Sequence, residues 1–299
     1  MPKSWSRGLT AATDPRVARN AERHRGMVYQ RRLDLADDRR HKGHATRTLP
    51  LEWSAEMAYV VGLIATDGCL VGDRRHIAFT TNDRQLAETF LACLGRPVRY
   101  GTGRTSAGNV VYRIQMGDVA MYRWLESIGL TPRKSLTLND VSVPDEFFWP
   151  FVRGLLDGDG SIYTLVHAPT ARTYPEYRYE RLWVYFSSAS EAHITWLRLQ
   201  LRRLLAVEGW IERTHRSHRN PFFRLKYGKR ESIMLLSTLY SDPDAPRLER
   251  KWKKWDAYRQ RHMIGALDGH EPEIRTRSLA RLPHDPKRPA RSKMDIAPT

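Results

Sequence analysis

The sequence predicts an α+β fold built from two repeats, each with the element order αββαββα, around a pair of helices. Two pairs of matching segments support this prediction. The stretch "GLIATDG" at 62–68 is matched by "GLLDGDG" at 154–160, so equivalent aspartates stand at positions 67 and 159. Further along each half, "VYRIQMGD" at 111–118 matches "FFRLKYGK" at 222–229. A duplicated unit of this size indicates two structurally equivalent halves.

The first repeat opens with a helix, "SAEMAYVVGLIATDG", which Ser54 caps and Gly68 ends. The stretch "HIAFTTND" alternates as a strand, and "RQLAETFLACLG" has the apolar spacing of an amphipathic helix. A glycine-rich hairpin loop, "GTGRTSAGN", leads into the returning strand "VVYRIQMGD". The stretch "VAMYRWLESIGL" then closes the unit as a helix.

The second repeat follows the same order after the linker "TPRKSLTLNDVSVPD". Its helices are predicted at "EFFWPFVRGLLDGDG", "EAHITWLRLQLRRLLA" and "RESIMLLSTLY". Its strands are predicted at "LWVYFSSAS" and "PFFRLKYGK", with "RTHRSHRN" as the hairpin loop between the second helix and the last strand. The "TPRKS" of the linker is echoed by "LERKW" near the end of this repeat.

These elements define the domain boundaries. We assign residues 51–140 to the first repeat and 141–260 to the second. Residues 1–50 form a basic N-terminal arm, which is either a solvated helix or a segment that tracks phosphates. Residues 261–299 form a basic tail, rich in Pro and Arg and too poor in apolar residues to fold alone, so we expect it to be disordered.

The charge balance restricts the class of partner. The chain has 50 Lys and Arg against 33 Asp and Glu, a net charge of +17. Such an excess favours a polyanionic partner, nucleic acid first and an acidic membrane surface second. Two cysteines, Cys69 and Cys93, can form neither a disulfide framework nor a four-thiolate zinc site. With no signal peptide and no apolar run long enough to span a bilayer, the sequence predicts a soluble, cytoplasmic protein.

Small residues recur on the helix that opens each repeat. Gly62 and Thr66 are four residues apart in the first, and Gly154 and Gly158 are four apart in the second. Residues at this spacing lie on one face of a helix, where small side chains allow two backbones to approach closely. We therefore expect these two helices to pack against each other as the interface between the repeats.

That packing would bring Asp67 and Asp159 together where the helices end. Two carboxylates at the negative ends of two helix dipoles are unfavourable by themselves. A divalent cation reverses this, because Mg²⁺ takes a few carboxylates and completes its shell with water and phosphate oxygens. Such a site suits metal-assisted phosphodiester hydrolysis. The alternative is that Asp67-Gly68 and Asp159-Gly160 are only helix stops with turn chemistry.

The doubled motif resembles the two signature helices of single-chain LAGLIDADG homing endonucleases. The first helix keeps "GLI" and the final "DG" of that motif, and the second keeps "GL", Asp157 and the final "DG". The first departs from it at Ala65 and Thr66, and the second at Arg153 and Gly158. The likeness extends over about 53–255. It implies a saddle of antiparallel sheets over double-stranded DNA, with the paired helices at its centre.

The resemblance also implies a set of site residues. Asp67 and Asp159 are the expected metal-binding and catalytic acids, and the glycines that follow them, Gly68 and Gly160, are expected at the metal site as well. The polar or basic residues expected beside the metals, from the fourth and second strands of each half, are Gln115, Lys226, Thr81 and Ser188. Of these we expect Gln115 and Lys226 to be catalytic, and Thr81 and Ser188 to contact DNA.

Further candidate DNA contacts come from the strands and loops. Arg113 and Arg224 share, by strand alternation, the faces of the two predicted catalytic residues on their strands. The remaining candidates are basic residues of the second hairpin loop and of the two repeated "RK" elements: Arg213, Arg216, Arg219, Lys134 and Lys251.

The predicted function is a site-specific, Mg²⁺-dependent double-strand DNA endonuclease that acts as a monomer. The resemblance implies two or more metal ions, Mn²⁺ as a substitute, and cleavage across the minor groove to leave short 3′ overhangs. Two alternatives use the same fold: an RNA maturase that binds intron RNA, and a non-catalytic DNA-binding regulator. An intein-embedded nuclease is not expected, since the sequence shows neither a terminal His-Asn nor an N-terminal Cys or Ser.

Overall fold

The computed structural model describes most of the two predicted repeats. Its described residues are 12–15, 18, 22, 51–95, 98–167, 179–214 and 222–264. The chain divides into two compact units, Met1–Leu51 and Glu52–Thr299. In the described part of the first unit, the backbone N–H of Ala18 donates to the carbonyl of Asp14 at 3.0 Å, as in a helical turn. The predicted tail beyond 264 lies outside the described residues.

The first half of the second unit has the predicted order αββαββα. Its elements are α1 (Ala55–Asp67), β1 (Gly68–Leu70), β2 (His76–Thr81), α2 (Arg84–Leu94), β3 (Gly101–Arg104), β4 (Val110–Gly117) and α3 (Val119–Ser127). Two 3₁₀ turns, Lys134–Leu136 and Asp145–Phe147, lie in the segment that links it to the second half.

The second half repeats the same order and adds one helix. Its elements are α4 (Phe148–Asp157), β5 (Ser161–His167), β6 (Tyr179–Ser188), α5 (Glu191–Leu205), β7 (Trp210–Thr214), β8 (Phe222–Tyr227), α6 (Lys229–Leu239) and α7 (Glu249–Arg261). The predicted α+β class with two αββαββα halves is thus confirmed.

Each half forms its own four-stranded antiparallel sheet. The strand orders are β1-β2-β4-β3 and β5-β6-β8-β7, so the second sheet repeats the topology of the first. Burial alternates along the central strands, as in β8, where Phe223, Leu225 and Tyr227 are buried and the residues between them are not. One face of each sheet therefore packs on the protein core, and the other face is open.

Helices α1 and α4 form the centre of this unit. The Ser54 hydroxyl accepts a hydrogen bond from the Met57 N–H at 3.1 Å, which fixes the start of α1. Every residue from Met57 to Ala65 is buried, so α1 is apolar all round rather than amphipathic. In α4 the run from Phe151 to Asp157 is buried in the same way.

The two central helices touch backbone to backbone at two glycines. A Cβ on Gly62 would collide with the Phe151 carbonyl and lie 2.9 Å from the Gly154 Cα. A Cβ on Gly154 would collide with the Tyr59 carbonyl and lie 3.0 Å from the Gly62 Cα. Only glycine at both positions permits this approach.

Thr66 and Gly158 lie further along the same contact. A Cβ on Gly158 would overlap the Thr66 hydroxyl, so the threonine side chain occupies the space that the glycine leaves. The Thr66 hydroxyl donates to carbonyls of its own helix, at 3.0 Å to Leu63 and 3.3 Å to Gly62. The four small residues singled out in the sequence therefore all lie where α1 meets α4.

Helix α7 is an element that the sequence analysis missed. Its buried residues are Lys251, Trp255 and Tyr258, a spacing of four and three that is typical of one helix face. Because many charged residues lie between them, this short buried face was not recognised as a helix from the sequence.

Replacing Gly154 by Ala should destabilise the protein by about 2–3 kcal/mol, because the added methyl group forces two packed backbones apart. The measurement is urea-induced unfolding. Gly72→Ala is the matched control, since a Cβ there meets no atom within 4 Å. Equal unfolding midpoints for Gly154→Ala and wild type would contradict this account of the interface.

Candidate active site

Asp67 and Asp159 both stand where a central helix gives way to the first strand of its sheet. Asp67 is the last residue of α1, and β1 begins at the next residue. Asp159 lies two residues beyond the end of α4 and two before β5 begins. Asp67 is half-buried and Asp159 is exposed. The contact between α1 and α4 brings the two carboxylates into electrostatic range of each other.

Both carboxyl groups are shifted toward the neutral form. Burial, followed by the negative charge of Asp159, raises the pKa of Asp67 from 3.8 to about 6. Burial by the surrounding protein also raises the pKa of Asp159, although part of that side chain is exposed to solvent. The positive charges of Lys251 and Lys134 act in the opposite direction on both carboxyl groups. The ionised carboxylates of Asp67 and Asp159 would therefore be stabilised by a positively charged group beside them.

Lys134 and Lys251 were predicted to contact DNA phosphates, and the structure corrects this. Both side chains are buried. The Lys134 ammonium donates to the Gly68 carbonyl at 2.6 Å. The Lys251 ammonium donates to four carbonyls at the end of α4, those of Leu156, Asp157, Gly158 and Gly160, at 2.5–3.1 Å. Each lysine thus satisfies free carbonyls at the negative end of a helix, one in each repeat.

These bonds also change the interpretation of Gly68 and Gly160, which were expected at the metal site. The backbone carbonyl of each glycine accepts a hydrogen bond from a buried ammonium, at 2.6 Å for Gly68 and 2.7 Å for Gly160. A cation bound to the same oxygen would face that positive charge at close range. The carboxylates of Asp67 and Asp159 are the remaining candidate metal ligands.

Thr81 and Ser188 occupy equivalent positions but do not lie on the open sheet faces. The Thr81 hydroxyl accepts from the Asp83 N–H at 3.1 Å, and the Ser188 hydroxyl accepts from the Ser190 N–H at 3.0 Å. Thr81 shares the parity of the buried residues of β2, and Ser188 pairs with buried Phe223. Both therefore form the turn that leads into the next helix, which corrects the prediction of DNA contact.

The residues one position earlier, Thr80 and Ser187, lie on the open faces instead. Thr80 pairs with Arg113 and Ser187 pairs with Arg224, at equivalent points of the two sheets. Because side chains alternate with a period of two, an offset of one residue moves a side chain to the other face. Sequence matching alone could not fix that offset.

A cavity of about 300 Å³ opens beside Asp67. Its lining is polar, and Arg250 reaches into it while paired with Asp83 at 2.9 Å. The remaining lining residues are Thr80, Thr81 and Asn82. Asp159 lines a smaller cavity of about 30 Å³, together with Thr66, Ser187 and Ser188. The two acids therefore have unequal surroundings.

Gln115 and Lys226 occupy matching places on the open faces. Gln115 pairs with Ala78 in the first sheet, and Lys226 pairs with Tyr185 in the second. The Lys226 ammonium forms an ion pair with Glu212 at 2.6 Å and lies 5.4 Å from the centre of the Tyr185 ring. Neither residue is hydrogen-bonded to Asp67 or Asp159, so a catalytic role for them stays a prediction.

The predicted arginines separate into three groups. Arg113 and Arg224 lie on the open faces. Arg213 belongs to β7 rather than to a loop; it pairs with Phe223 and stands 5.7 Å over that ring, on the opposite face from Arg224. This corrects its assignment to the hairpin tip. Arg216 and Arg219 lie outside the described residues.

Asp157, the other acid of the second motif, lies in the core. It accepts hydrogen bonds of 2.8 Å from the Tyr59 hydroxyl and from the Leu248 N–H. Burial raises the pKa of this carboxyl to about 6, against the lowering effect of Lys251 and these hydrogen bonds. Asp157 thus joins α1, α4 and the start of α7, and it does not face the cavities.

Replacing Lys251 by Met should destabilise the protein by about 3 kcal/mol, because four carbonyls lose a charged donor while the apolar stem is retained. The same change should raise the pKa of Asp67 and Asp159, since Lys251 lowers both. Urea unfolding and carboxyl NMR titration measure the two effects. Lys253→Met, exposed on the same helix, is the control. A urea unfolding midpoint for Lys251→Met equal to that of wild type would contradict the role of Lys251 in satisfying the carbonyls at the end of α4.

Replacing Asp67 by Asn should stabilise the protein above pH 6 in metal-free buffer, by about 1–2 kcal/mol after allowance for its partial exposure. The folded state binds this proton more tightly than the unfolded state, whose carboxyl pKa is near 3.8. The contribution of Asp67 to wild-type stability should therefore fall as pH rises from about 4 to about 6, and this contribution should be absent from the variant.

Asp73→Asn is the control, and it should lower the stability of the protein where Asp67→Asn raises it. The reason is that a hydrogen bond from His76 lowers the pKa of Asp73 to about 2. The measurement is the free energy of unfolding as a function of pH. An Asp67→Asn variant less stable than wild type at pH 8 would contradict the repulsion inferred here.

Comparison with known families finds a similarity for part of the first half. Residues 54–118 match the LAGLIDADG-like domain family. No curated protein sequence matches the chain significantly. Among the described residues, no group of three or more His, Cys, Asp or Glu side chains could hold a metal ion, and no helix is long and apolar enough to cross a membrane.

Several solved structures resemble the chain weakly. The homing endonuclease I-WcaI bound to its DNA recognition sequence has 12% identity and a TM-score of 0.46, over 68% of this chain and 88% of that one. The meganuclease I-SmaMI bound to uncleaveable DNA has 14% identity and a TM-score of 0.47, over 71% and 92%.

A third is full-length DUF199/WhiA from Thermatoga maritima, with 15% identity and a TM-score of 0.41, over 73% of this chain and 68% of that one. At such TM-scores these likenesses decide nothing about function. What the comparisons show is limited to the first half: residues 54–118, from the cap of α1 to the end of the first sheet, are similar to the LAGLIDADG-like domain.

Proposed function

We propose that this chain is a site-specific, metal-dependent endonuclease that cuts both strands of DNA. The observation that supports this most directly is the placement of Asp67 and Asp159. Each follows a helix of one repeat, and the close contact of those helices puts the two carboxylates in electrostatic range of each other. Two equivalent acids, one for each repeat, suit a substrate with two equivalent strands.

The donor set at this position fits a hard divalent cation such as Mg²⁺. Both acids supply oxygen ligands, and the ionised form of Asp67, which burial disfavours, gains from a cation beside it. Two carboxylates are few for a metal site, which agrees with a cation that keeps water ligands and takes phosphate oxygens from the substrate. When bound, such an ion would supply Lewis-acid assistance to phosphodiester hydrolysis.

The chain's own residues prepare this position. Lys134 and Lys251 lower the pKa of both carboxyl groups and so favour their ionised, metal-binding forms. Both ammonium groups are held by backbone carbonyls and buried, so they act on the site without occupying it. The polar cavity beside Asp67 has room for a phosphate group and water.

The open faces of the two sheets flank the acids and supply the DNA-binding surface of the proposal. Arg113 and Gln115 lie on the first face, and Arg224 and Lys226 on the second. Groove contacts from two rigid sheets would give a long, asymmetric target, because the two faces carry different side chains. Cleavage across the minor groove, short 3′ overhangs and action as a monomer belong to the same proposal.

Mutation of Asp159 tests the catalytic assignment. Targets are first selected by binding from random duplexes in metal-free buffer, and a plasmid carrying one is then incubated with Mg²⁺. Wild type should linearise the plasmid, chelation should stop it, and Asp159→Asn should bind the duplex but leave it uncut, because one metal-binding carboxylate is lost. Asp140→Asn, an exposed acid in the linker, should cut normally.

Two results would contradict the proposal in different ways. Failure to enrich any duplex would remove DNA as the substrate. Normal cleavage by Asp159→Asn would leave DNA binding intact and show that the acids are not the active site. Binding without cleavage by wild type would instead favour the non-catalytic regulator.

A further inference from the structure

The open faces of the two sheets differ in chemistry. In the first sheet one residue of this face in β4, Val111, is apolar, and it is buried. The other described residues of this face in β2 and β4 are small or polar: His76, Ala78, Thr80, Arg113, Gln115 and Gly117. In the second sheet the same face carries large apolar side chains. Tyr163 is 45% exposed, Leu165 41% and Trp210 47%. Exposed apolar side chains grouped on one face usually mark a binding surface.

The pairing register shows that these apolar side chains form one surface. Tyr163 pairs with Trp183, and their ring centres are 5.5 Å apart. In the next row, Tyr185 and Lys226 lie side by side, and Lys226 pairs with Trp210. These aromatic side chains therefore lie on three strands of the second sheet, β5, β6 and β7, and Lys226 of β8 stands between them.

Cations are interleaved with the rings. The Arg181 guanidinium stands 5.6 Å from the Trp183 ring centre, and the Arg224 guanidinium 5.5 Å from that of Tyr185. Glu212 pairs with Lys226 and lies near Arg224, so this face keeps an excess of positive charge. A partner that matches it must be negatively charged and must also offer apolar groups.

Duplex DNA offers such groups in its major groove. The thymine C5-methyl is the apolar group that a base pair presents there, and apolar side chains recognise it by contact. The faces of paired bases are stacked and inaccessible. Unpaired bases stack on free ring faces, and cations over Trp183 and Tyr185 reduce the ring surface available for such stacking at those two residues.

We propose that the half of the DNA target lying against the second sheet is read through thymine methyl groups, with Tyr163, Leu165 and Trp210 as specificity-determining residues. The half against the first sheet is read by polar contacts to base edges. This inference rests on the proposed function, because it assumes that the open faces bind duplex DNA.

The test replaces thymine by uracil, which removes only the methyl group. Duplexes selected by wild type are synthesised with deoxyuridine in one half, in the other half, or in neither. Substitution in one half should weaken binding by about fourfold for each methyl group that is fully buried. Substitution in the other half should leave the affinity unchanged.

The variants assign the sensitive half to the second sheet. The triple variant Tyr163→Ser/Leu165→Ser/Trp210→Ser should bind the thymine and uracil duplexes equally, and its selected targets should lose their thymine enrichment in that half. Leu199→Ser is the matched control, since Leu199 is 55% exposed on α5, away from the open face, and should leave the uracil effect intact.

The outcomes separate this inference from the function on which it rests. If uracil in either half leaves the affinity of wild type unchanged while the duplex is still bound and cut, the inference is overturned and the nuclease stands. Uracil sensitivity that survives the triple variant also overturns it. Tighter binding to single strands than to any duplex would overturn both the inference and the proposed function.

Discussion

The approach of α1 and α4 at Gly62 and Gly154 is the contact on which the rest of the structure depends. Because neither residue has a side chain, two backbones meet where most helix pairs are held apart. The ends of the two helices are thereby fixed together, and each sheet starts within a few residues of such an end. One steric requirement therefore sets the positions of both acids and of both open faces.

This geometry has an electrostatic cost, and the fold offsets it locally. Two carboxylates stand at the negative ends of two helices, and burial raises the pKa of both. Lys134 and Lys251 each return to the end of a central helix and donate to its free carbonyls. The same positive charges that satisfy the backbone carbonyls also favour the ionised forms of the two acids. The two lysines thus act both on the helix ends and on the electrostatics of the candidate site.

Duplication gives the two halves one topology, but their surfaces have diverged. Apart from the added helix α7, the elements match in order and pairing, and both halves have equivalent lysines, acids and turn hydroxyls. The cavities beside the two acids differ in size, and the open faces differ in polarity. Core and cap residues serve the shared fold, whereas open-face residues are free to suit a substrate whose two halves differ.

The sequence by itself determined the repeat, the order of elements, the fold class and the small residues between the central helices, because these depend on local periodicity and residue size. It also singled out Asp67 and Asp159. Tertiary structure decided which side chains are accessible. Lysine is usually a surface residue, yet Lys134 and Lys251 are buried. Backbone carbonyls that are distant in sequence accept the hydrogen bonds of their ammonium groups. Thr80 rather than Thr81 faces outward, because the pairing register, which no local pattern fixes, assigns each side chain to a face.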